Sequence, residues 1–388
     1  MPASDGPPLK LVRLTPPGRA AIATLLVEGP GAAEAVAAQL DSKTPRPGNL
    51  TPADRLAFGR FGSPNGEEVV VRFRTAQSVE IHCHGGRSAI ARIETLLMPK
   101  GARSVSWQDW AAAEHDDPIA AHARIALAEA RTERTARILL DQFAGALGRA
   151  VQQILALLGR REIAAAAAQL EALLAYAELG RHLVEPWSVV LCGRPNVGKS
   201  SLINALVGYQ RAIVHPLAGT TRDVVTAATA IDGWPIELAD TAGLRREGHP
   251  LEQAGIDLAT QKMAAADLII LVSDATQAWS EDDETLLRSW TNAILVHNKA
   301  DLAPCRASRP PGLSTSALTG EGIGELAASI GRRLVPHPPP WGTPVPFTAE
   351  QVELLLAAHR AASRQDLATA TRALSTIVGG KGGCSIGA

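Results

Sequence analysis

Gly193–Ser200, with the sequence GRPNVGKS, decides the fold of this chain. A glycine, four residues and then Gly-Lys-Ser form the phosphate-binding loop pattern. The apolar, β-branched run Ser188–Cys192 before it is typical of a buried parallel strand. Ser201–Val207 after it has apolar residues at helical spacing. Strand, glycine-rich loop and helix in this order are the context that a phosphate-binding loop requires.

The residue types in this loop suit a bound triphosphate. Glycine lets backbone N–H groups approach phosphate oxygens, and the N-terminus of the following helix adds positive potential. We expect Lys199 to reach the β- and γ-phosphates and the Ser200 hydroxyl to bind Mg²⁺. A Gly-Lys-Ser turn that arises by chance is the alternative interpretation of this motif taken alone.

Two short motifs after the loop match the switch segments of GTPases. Gly219–Asp223 has the sequence GTTRD, and the predicted strand Ile236–Ala239 leads into Asp-Thr-Ala-Gly. We expect Asp240 to hold Mg²⁺ through water and Gly243 to sense the γ-phosphate. A plain turn is the alternative for the second motif.

A later motif selects the base. The apolar runs Leu268–Val272 and Ala293–His297 are predicted to be buried strands, and the second leads into Asn-Lys-Ala-Asp. The carboxylate of Asp301 can accept hydrogen bonds from N1–H and N2–H₂ of guanine, whereas adenine has no donor at its N1. We therefore expect GTP to be bound in preference to ATP, although a helix cap is the alternative for this motif alone.

The segment Ser316–Leu318 is expected to complete the base pocket. Because all five motifs occur in the correct order, each following a predicted strand, they predict a GTP-binding domain. The predicted GTP-binding residues are Asn196, Val197, Gly198, Lys199, Ser200, Ser201, Thr220, Thr221, Asp240, Thr241, Ala242, Gly243, Asn298, Lys299, Asp301, Ser316, Ala317 and Leu318.

The residue after Gly243 bears on catalysis. Many GTPases have a glutamine here that orients the attacking water, but this chain has Leu244. An aliphatic side chain cannot orient water, so that role falls to another group and charge neutralisation falls to a cation or an arginine. The nearby candidates are Glu252, Arg245 and Arg246.

Composition restricts the class of protein. The chain has 388 residues, which suits two to three domains, and 46% of its residues are hydrophobic, which allows packed cores. A formal net charge of −1 provides no overall basic field for nucleic acid. Four cysteines without paired spacing indicate neither a disulfide framework nor a zinc site. The first residues lack a signal-peptide pattern and no apolar run suits a membrane span, so we expect a cytoplasmic protein.

The patterning along the chain predicts an α/β fold in which a phosphate-loop GTPase domain is inserted into an α-helical domain, preceded by a small α+β N-terminal domain. Strands are predicted at Lys10–Thr15, Ile22–Val27, Leu56–Phe61, Glu68–Phe73 and Ser78–Cys83, and helices at Gly31–Leu40 and Arg87–Leu97. The predicted domains are residues 1–116 (α+β), 117–185 (first helical part), 186–334 (GTPase) and 335–388 (second helical part and tail).

Four stretches resemble one family, the tRNA modification GTPases MnmE (TrmE). They are Thr15–Arg19 (TPPGR), Val79–Gly86 (VEIHCHGG), the GTPase motif set and Leu251–Ile256 (LEQAGI). The resemblance covers nearly the whole chain, most strongly between Pro186 and Gly324. It implies a folate-binding N-terminal domain, which dimerises in the family, so that a homodimer is expected.

The resemblance also implies roles for individual residues. Thr221 would join Ser200 on Mg²⁺, and Glu252 would position the attacking water, so the expected catalytic residues are Lys199, Thr221 and Glu252. K⁺ would act like an arginine finger between paired GTPase domains. Its expected ligands are Asn196, the backbone oxygens of His215 and Leu217, and the Thr220 region. The alternatives are a structural turn residue for Asn196 and a solvated carboxylate for Glu252.

The family binds a tetrahydrofolate, and here the chain departs from the pattern. Glu80 is kept, but Leu26 lies where the family has an arginine, and His115 falls where it has a lysine. At the other end Ser385 replaces the expected cysteine, and Ala388 replaces the terminal lysine. The loss of cationic contacts is expected to weaken folate binding.

Two functions are compatible with these patterns. The first is a K⁺-stimulated GTPase that acts with an MnmG-like flavoprotein on C5 of the wobble uridine of tRNA, as the resemblance implies. The second is a divergent regulatory or assembly GTPase that has lost folate binding and tRNA modification. A ribosome-assembly GTPase is a third interpretation, against which the N-terminal resemblance argues.

Overall fold

The computed structural model describes residues 8–16, 18, 20–42, 55–62, 65–209, 226–240, 261–302 and 308–379. The chain divides into two compact units, Met1–His115 and Asp116–Ala388. Among the helices in the described ranges, none has both the length and the apolar character that crossing a bilayer requires.

The first unit is built on one sheet of mixed strand direction. Its described strands are β1 (Leu9–Arg13), β2 (Ile22–Glu28), β3 (Leu40–Ser42), β4 (Arg55–Phe61), β5 (Glu67–Thr75), β6 (Ser78–His84) and β7 (Ala102–Val105). Their order is β3-β4-β5-β6-β2-β1-β7, and only the pairing of β1 with β7 is parallel. Strand residues alternate between the two faces, so that one face forms the apolar core of this unit.

Helices complete the first unit. They are α1 (Ala32–Ala37), α2 (Arg87–Leu97) and α3 (Trp107–Ala113). Ile90, Ile93 and Leu97 of α2 are buried in the core of the unit. The indole N–H of Trp110 on α3 donates a 2.9 Å hydrogen bond to Glu28 of β2.

The sequence predictions for this unit are confirmed for α2 and for the central strands, within two residues at each end. The predicted helix at 31–40 was too long, because α1 ends at Ala37 and Leu40 begins β3, which pairs with Phe61 of β4. Pairing with a distant strand outweighs the local helical pattern here. The short elements β7 and α3 were not predicted.

In the second unit, helices come both before and after the segment of the chain that forms the sheet. The helices before it are α4 (Pro118–Glu129), α5 (Glu133–Phe143), α6 (Ala146–Gly159), α7 (Ile163–Leu174) and α8 (Ala177–Arg181). Two follow it, α12 (Ala349–Ser363) and α13 (Leu367–Gly379). Helix α12 packs against α7, and α13 packs against α6 and α4. The last two helices therefore share a core with helices that precede the sheet.

The sheet of the second unit consists of β8 (Trp187–Cys192), β9 (Thr226–Ile231), β10 (Trp234–Asp240), β11 (Leu268–Asp274), β12 (Ile294–Asn298) and β13 (Leu313–Ser314). Their order is β13-β12-β11-β8-β10-β9, parallel except for β9. The associated helices are α9 (Lys199–Tyr209), α10 (Glu281–Ser289) and α11 (Ile323–Leu334). The four predicted strands of this sheet are confirmed, whereas β9 was missed because its Ala- and Thr-rich sequence has a weak apolar signal.

The buried His182 joins the end of helix α8 to the start of the sheet. Its ring stacks on Trp187 of β8 at 3.6 Å between centroids. Its Nδ1 lies 3.2 Å from the carbonyl oxygen of Glu185, and its Nε2 lies 2.9 Å from a guanidinium nitrogen of Arg181. A carbonyl only accepts and a guanidinium only donates, so these neighbours fit a neutral imidazole with its proton on Nδ1. Burial, with the charge of Arg181, lowers the pKa of His182 despite the nearby Asp267.

This environment predicts a loss of stability on mild acidification. Because the folded-state pKa of His182 lies below the ordinary value of 6.5, the unfolded chain binds more protons in the window just below pH 6.5. The free energy of unfolding should therefore fall as pH drops through that window. His182→Gln should show a smaller fall, measured by urea unfolding at pH 7.5 and 5.5. Replacement of the exposed His337 by Gln is the control, and equal falls in all three proteins would contradict the prediction.

Candidate nucleotide-binding site

Two glycines allow the loop after β8 to pack tightly against neighbouring strands. Gly193 has φ 143°, and a Cβ placed there would lie 2.1 Å from the carbonyl oxygen of Val272 on β11. Gly198 has φ 95°, and a Cβ there would lie 2.4 Å from the side-chain nitrogen of Asn298 on β12. Because the loop lies this close to both strands, neither position tolerates a side chain, and glycine is required at each.

The side chain of Lys199 turns back into this loop. It is 5% exposed, and its ammonium donates hydrogen bonds to the carbonyl oxygens of Gly193 at 3.1 Å and Arg194 at 2.9 Å. Lys199 is also the first residue of helix α9, so its backbone N–H lies at the positive end of that helix. Burial raises the pKa of the adjacent Cys192 thiol to about 11 although Lys199 lowers it, so this thiol stays protonated at neutral pH.

The two described residues predicted to bind Mg²⁺ are in contact. The hydroxyl of Ser200, at the start of α9, donates a 2.5 Å hydrogen bond to the carboxylate of Asp240, at the end of β10. Asp240 is 1% exposed. A hydroxyl and a carboxylate are oxygen ligands of the kind that Mg²⁺ prefers, so these residues fit the ion.

Asn298 ties the phosphate loop to the segment after β13. Its Nδ2 donates to the carbonyl oxygen of Val197 at 2.9 Å. Its Oδ1 accepts from the Thr315 hydroxyl at 3.3 Å and from the backbone N–H of Ala317 at 3.2 Å. Both ends of this buried amide are thus engaged by the protein, and Asn298 contributes by aligning the two loops.

The carboxylate of Asp301 lies at the surface, next to the same segment. Its Oδ1 accepts a 2.5 Å hydrogen bond from the Ser316 hydroxyl, which itself accepts from the backbone N–H of Thr319 at 3.1 Å. Asp301 is exposed, so a ligand can approach it from solvent. The side chain of Leu318 is 86% exposed, so from this segment it is the backbone and Ser316 that adjoin Asp301.

The sequence analysis missed Asp274. This buried carboxylate at the end of β11 accepts a 2.7 Å hydrogen bond from the ammonium of Lys299. Burial raises the pKa of Asp274, but hydrogen bonds from Lys299 and Thr276 outweigh that effect and leave the pKa below its ordinary value. The signal available in the sequence was its position, because residues that follow the carboxyl ends of parallel strands meet at one edge of the sheet.

Comparison with known proteins identifies the family. A family model described as "50S ribosome-binding GTPase" matches residues 188–299. The tRNA modification GTPase MnmE of a Thermus thermophilus strain is 33% identical over 382 residues, which cover 89% of this chain and 86% of that protein. The chain belongs to the MnmE family. MnmE of Chloroflexus aurantiacus is 32% identical, and its alignment covers 94% of this chain and 89% of that protein.

A solved G domain of the Thermotoga maritima FeoB iron transporter is 29% identical and covers 38% of this chain and 99% of its own. Its TM-score is 0.28. The family model and the MnmE relatives together make this chain a GTP-hydrolysing enzyme with a phosphate-loop GTPase domain.

Several residues predicted from the MnmE resemblance lie outside the described part of the chain. Asn196 is described: it is exposed and adopts φ 62°, a left-handed conformation that asparagine tolerates better than most residues. The predicted site residues outside the described ranges are His215, Leu217, Thr220, Thr221, Thr241, Ala242, Gly243 and Glu252, and the same holds for Leu244, Arg245, Arg246, Ser385 and Ala388.

Glu80, predicted from the MnmE resemblance to contact folate, lies on β6 among basic side chains. Its carboxylate is 3.5 Å from Arg72, 3.4 Å from Arg74 and 3.8 Å from Nε2 of His82. Leu26 is directly opposite Glu80 on β2 and is buried. The arginines near Glu80 therefore belong to β5, whereas position 26 on β2 provides an aliphatic side chain. His115 is a partly exposed residue after α3.

Proposed function

We propose that this MnmE-family GTPase acts in the modification of C5 of the wobble uridine of tRNA, together with an MnmG-like flavoprotein. The observation that carries the proposal is the extent of the similarity. The T. thermophilus protein named a tRNA modification GTPase aligns with 89% of the chain, which is more than either compact unit contains. The model described as a ribosome-binding GTPase matches only residues 188–299, so it supports the GTPase domain and no more.

The proposed domain arrangement has a GTPase domain at 186–334 inserted between two helical parts, 117–185 and 335–388, after an N-terminal domain at 1–116. The packing of α12 against α7 and of α13 against α6 and α4 supports this arrangement. A single helical domain assembled from both parts would connect the GTPase domain to the rest of the chain at two points. Nucleotide-dependent movement could then reach the helices through both connections.

Within the site, the described residues have separate proposed roles. Lys199 would leave its loop carbonyls to bind the β- and γ-phosphates of GTP. Ser200 and Asp240 would hold Mg²⁺, and the ion would supply positive charge to the phosphates. Asp301 accepts the guanine N–H groups, with Ser316 fixing its orientation. Thr221 as a further Mg²⁺ ligand and Glu252 as the residue that positions water remain proposals from the family resemblance.

K⁺ is proposed to stimulate hydrolysis through Asn196, which lies exposed in the phosphate loop. With Leu244 in place of glutamine, a monovalent cation would supply part of the charge that stabilises the transition state. The other proposed ligands are His215, Leu217 and Thr220.

We predict that kcat for GTP hydrolysis is about tenfold or more higher in KCl than in NaCl of equal ionic strength. Asn196→Gly should remove this preference, because glycine keeps the left-handed backbone at φ 62° while deleting the side-chain oxygen. Gln365→Gly is the matched control, since Gln365 also has a positive φ of 60° but lies between α12 and α13. Equal kcat values in the two salts for the unmodified protein would refute the K⁺ site.

A homodimer formed through the first unit is also proposed. Its sheet exposes large apolar side chains on one face, Leu56 and Phe58 on β4 and Val70 on β5, where Phe58 and Val70 are directly paired. A contiguous exposed apolar patch of this kind is characteristic of an interaction surface. A cytoplasmic location is proposed from the family resemblance, and the free, buried Cys83 and Cys192 are consistent with it.

The second candidate function is a regulatory or assembly GTPase without folate chemistry. It is favoured by the buried Leu26 opposite Glu80, because an aliphatic side chain there offers no cation to a folate carboxylate or to a polar pterin. On the first function a tetrahydrofolate would bind near Glu80, with Arg72 and Arg74 as the nearby cations.

Complementation distinguishes the two functions. The chain is expressed in bacteria that lack their own MnmE, and modified wobble uridine is measured by mass spectrometry of the tRNA. On the first function the modification is restored by the unmodified chain but not by Lys199→Ala. Absence of modification by a chain that hydrolyses GTP at the normal rate would favour the second function.

A further inference from the structure

The two carboxylate oxygens of Asp274 bind two different parts of the chain, the loop after β11 and the side chain of Lys299. Oδ1 accepts hydrogen bonds from the backbone N–H and the hydroxyl of Thr276, at 2.9 and 2.7 Å, which shape the loop after β11. Oδ2 accepts from the ammonium of Lys299 at 2.7 Å, and Gln277 approaches the same atom at 3.4 Å. The side chain of Asp274 is only 3% exposed, so water screens the ion pair weakly.

The frame around this pair is fixed by backbone hydrogen bonds. Strands β11 and β12 are parallel, with Asp274 in register with Asn298. The N–H of Ala275 donates to the carbonyl oxygen of Asn298 at 2.8 Å, and the N–H of Ala300 donates to the carbonyl oxygen of Thr315 at 3.0 Å. The backbone on both sides of Lys299 is therefore held by hydrogen bonds, and Asp274 binds the ammonium at the end of its side chain.

The backbone of Lys299 is itself unusual. It adopts φ 66°, a conformation that a long side chain takes only when its surroundings enforce it. Lysine has high rotamer entropy, so an unanchored Lys299 would sample many positions beside the base site. Because the backbone and the ammonium of Lys299 are both held, few conformations remain for the aliphatic stem between them.

We propose that Asp274 is a positioning residue for nucleotide binding: by holding the ammonium of Lys299, it fixes the lysine stem as a wall of the guanine site. The inference rests on the proposed assignment of residues 298–301 to the base. Asp274 itself touches no nucleotide atom in this scheme. Its effect is on affinity through Lys299, and it takes no part in the hydrolytic step.

The test is a double-mutant cycle on the full chain with fluorescent N-methylanthraniloyl GDP as the probe. Asp274→Asn keeps the shape of the side chain but removes its charge, and Lys299→Met keeps the stem but removes the ammonium. Each should weaken GDP binding about tenfold, since the released lysine would then occupy its binding-competent position for only about a tenth of the time. The double variant should bind no more weakly than Lys299→Met alone, because both changes remove the same contact.

The control separates positioning from loop structure. Thr276→Val removes a hydrogen bond that Asp274 makes to its own loop but leaves the contact with Lys299. It should change the affinity for GDP by less than about twofold, because the ion pair that anchors the lysine is kept. In GTP hydrolysis, Asp274→Asn should raise KM by a larger factor than it lowers kcat, as expected for a residue that acts on binding.

Three results would overturn the inference. The first is a double variant whose loss of affinity is the product of the two single losses. The second is a loss of affinity in Thr276→Val equal to that in Asp274→Asn. The third is wild-type affinity in Lys299→Met, a variant that leaves the buried carboxylate unchanged. Failure of the base-site assignment has a different signature: the unmodified chain would bind the ADP probe as tightly as the GDP probe. The two failures are therefore distinguishable in one set of titrations.

Discussion

Lys199→Ala is expected to lower kcat/KM for GTP hydrolysis by about 10³-fold, on the order of the loss when one preorganised charge-stabilising group is removed from an active site. Lys199 is 5% exposed, and its ammonium lies 3.1 and 2.9 Å from two loop carbonyls, so it is held within the loop that is proposed to bind the phosphates. Alanine leaves this position without a cation, and no other lysine lies in the loop. Phosphate release under saturating and limiting GTP measures the change.

The same variant also tests whether the loss is local. The carbonyls of Gly193 and Arg194 would lose a donor, but the strand and helix that carry the loop remain, so thermal unfolding without nucleotide should shift by only a few degrees. Lys100→Ala, at an exposed lysine of the first unit, is the control and should hydrolyse GTP normally. A Lys199→Ala protein that keeps more than a tenth of the wild-type kcat/KM would contradict the assigned role.

Asp301→Asn is expected to weaken GTP binding by about 10³-fold and to create affinity for XTP. Guanine offers donors at N1 and N2, which a carboxylate accepts, whereas xanthine has a carbonyl oxygen at C2 that an amide can donate to. Ser316 would set the orientation of the new amide, because its hydroxyl donates a 2.5 Å hydrogen bond to Oδ1 of Asp301. In the variant this hydroxyl would hold the amide oxygen and leave the amide nitrogen for the base.

Competition of GDP and XDP against a fluorescent nucleotide measures this switch. Ser316→Ala is the matched variant, since it removes the orienting hydroxyl and leaves the carboxylate. It should weaken GDP binding by about tenfold, because the carboxylate would then be in its binding orientation for only about a tenth of the time, and it should give no gain in affinity for XDP. The assignment of Asp301 to the base would be wrong if Asp301→Asn weakened both nucleotides equally.

The parts of the fold that could be predicted from the sequence are those with strong local signals. Helix α2 and strands β8, β10, β11 and β12 have regular apolar patterns, so their positions follow from the chain itself. Strand β3 begins at Leu40, the last residue of a stretch with a helical pattern, and forms because Leu40 pairs with Phe61. Strand β9 similarly depends on antiparallel pairing with β10. Local patterns do not contain such distant partners.

The same division holds for the site. The roles proposed for Lys199, Asp240 and Asp301 follow from motifs, because phosphate, Mg²⁺ and guanine each require a particular side-chain chemistry at a particular place after a strand. That chemistry is independent of the rest of the fold, and the sequence alone determined it. It also determined the expected preference for guanine.

Only the tertiary structure decided how these residues are supported. Asp274 and Lys299 are 25 residues apart and meet because β11 and β12 are parallel and in register. Likewise, Asn298 reaches Val197 across 101 residues because the phosphate loop packs against the end of β12. Strand pairing brings together groups whose separation in sequence carries no information about their distance, so the chemistry could be predicted from the sequence and its anchoring could not.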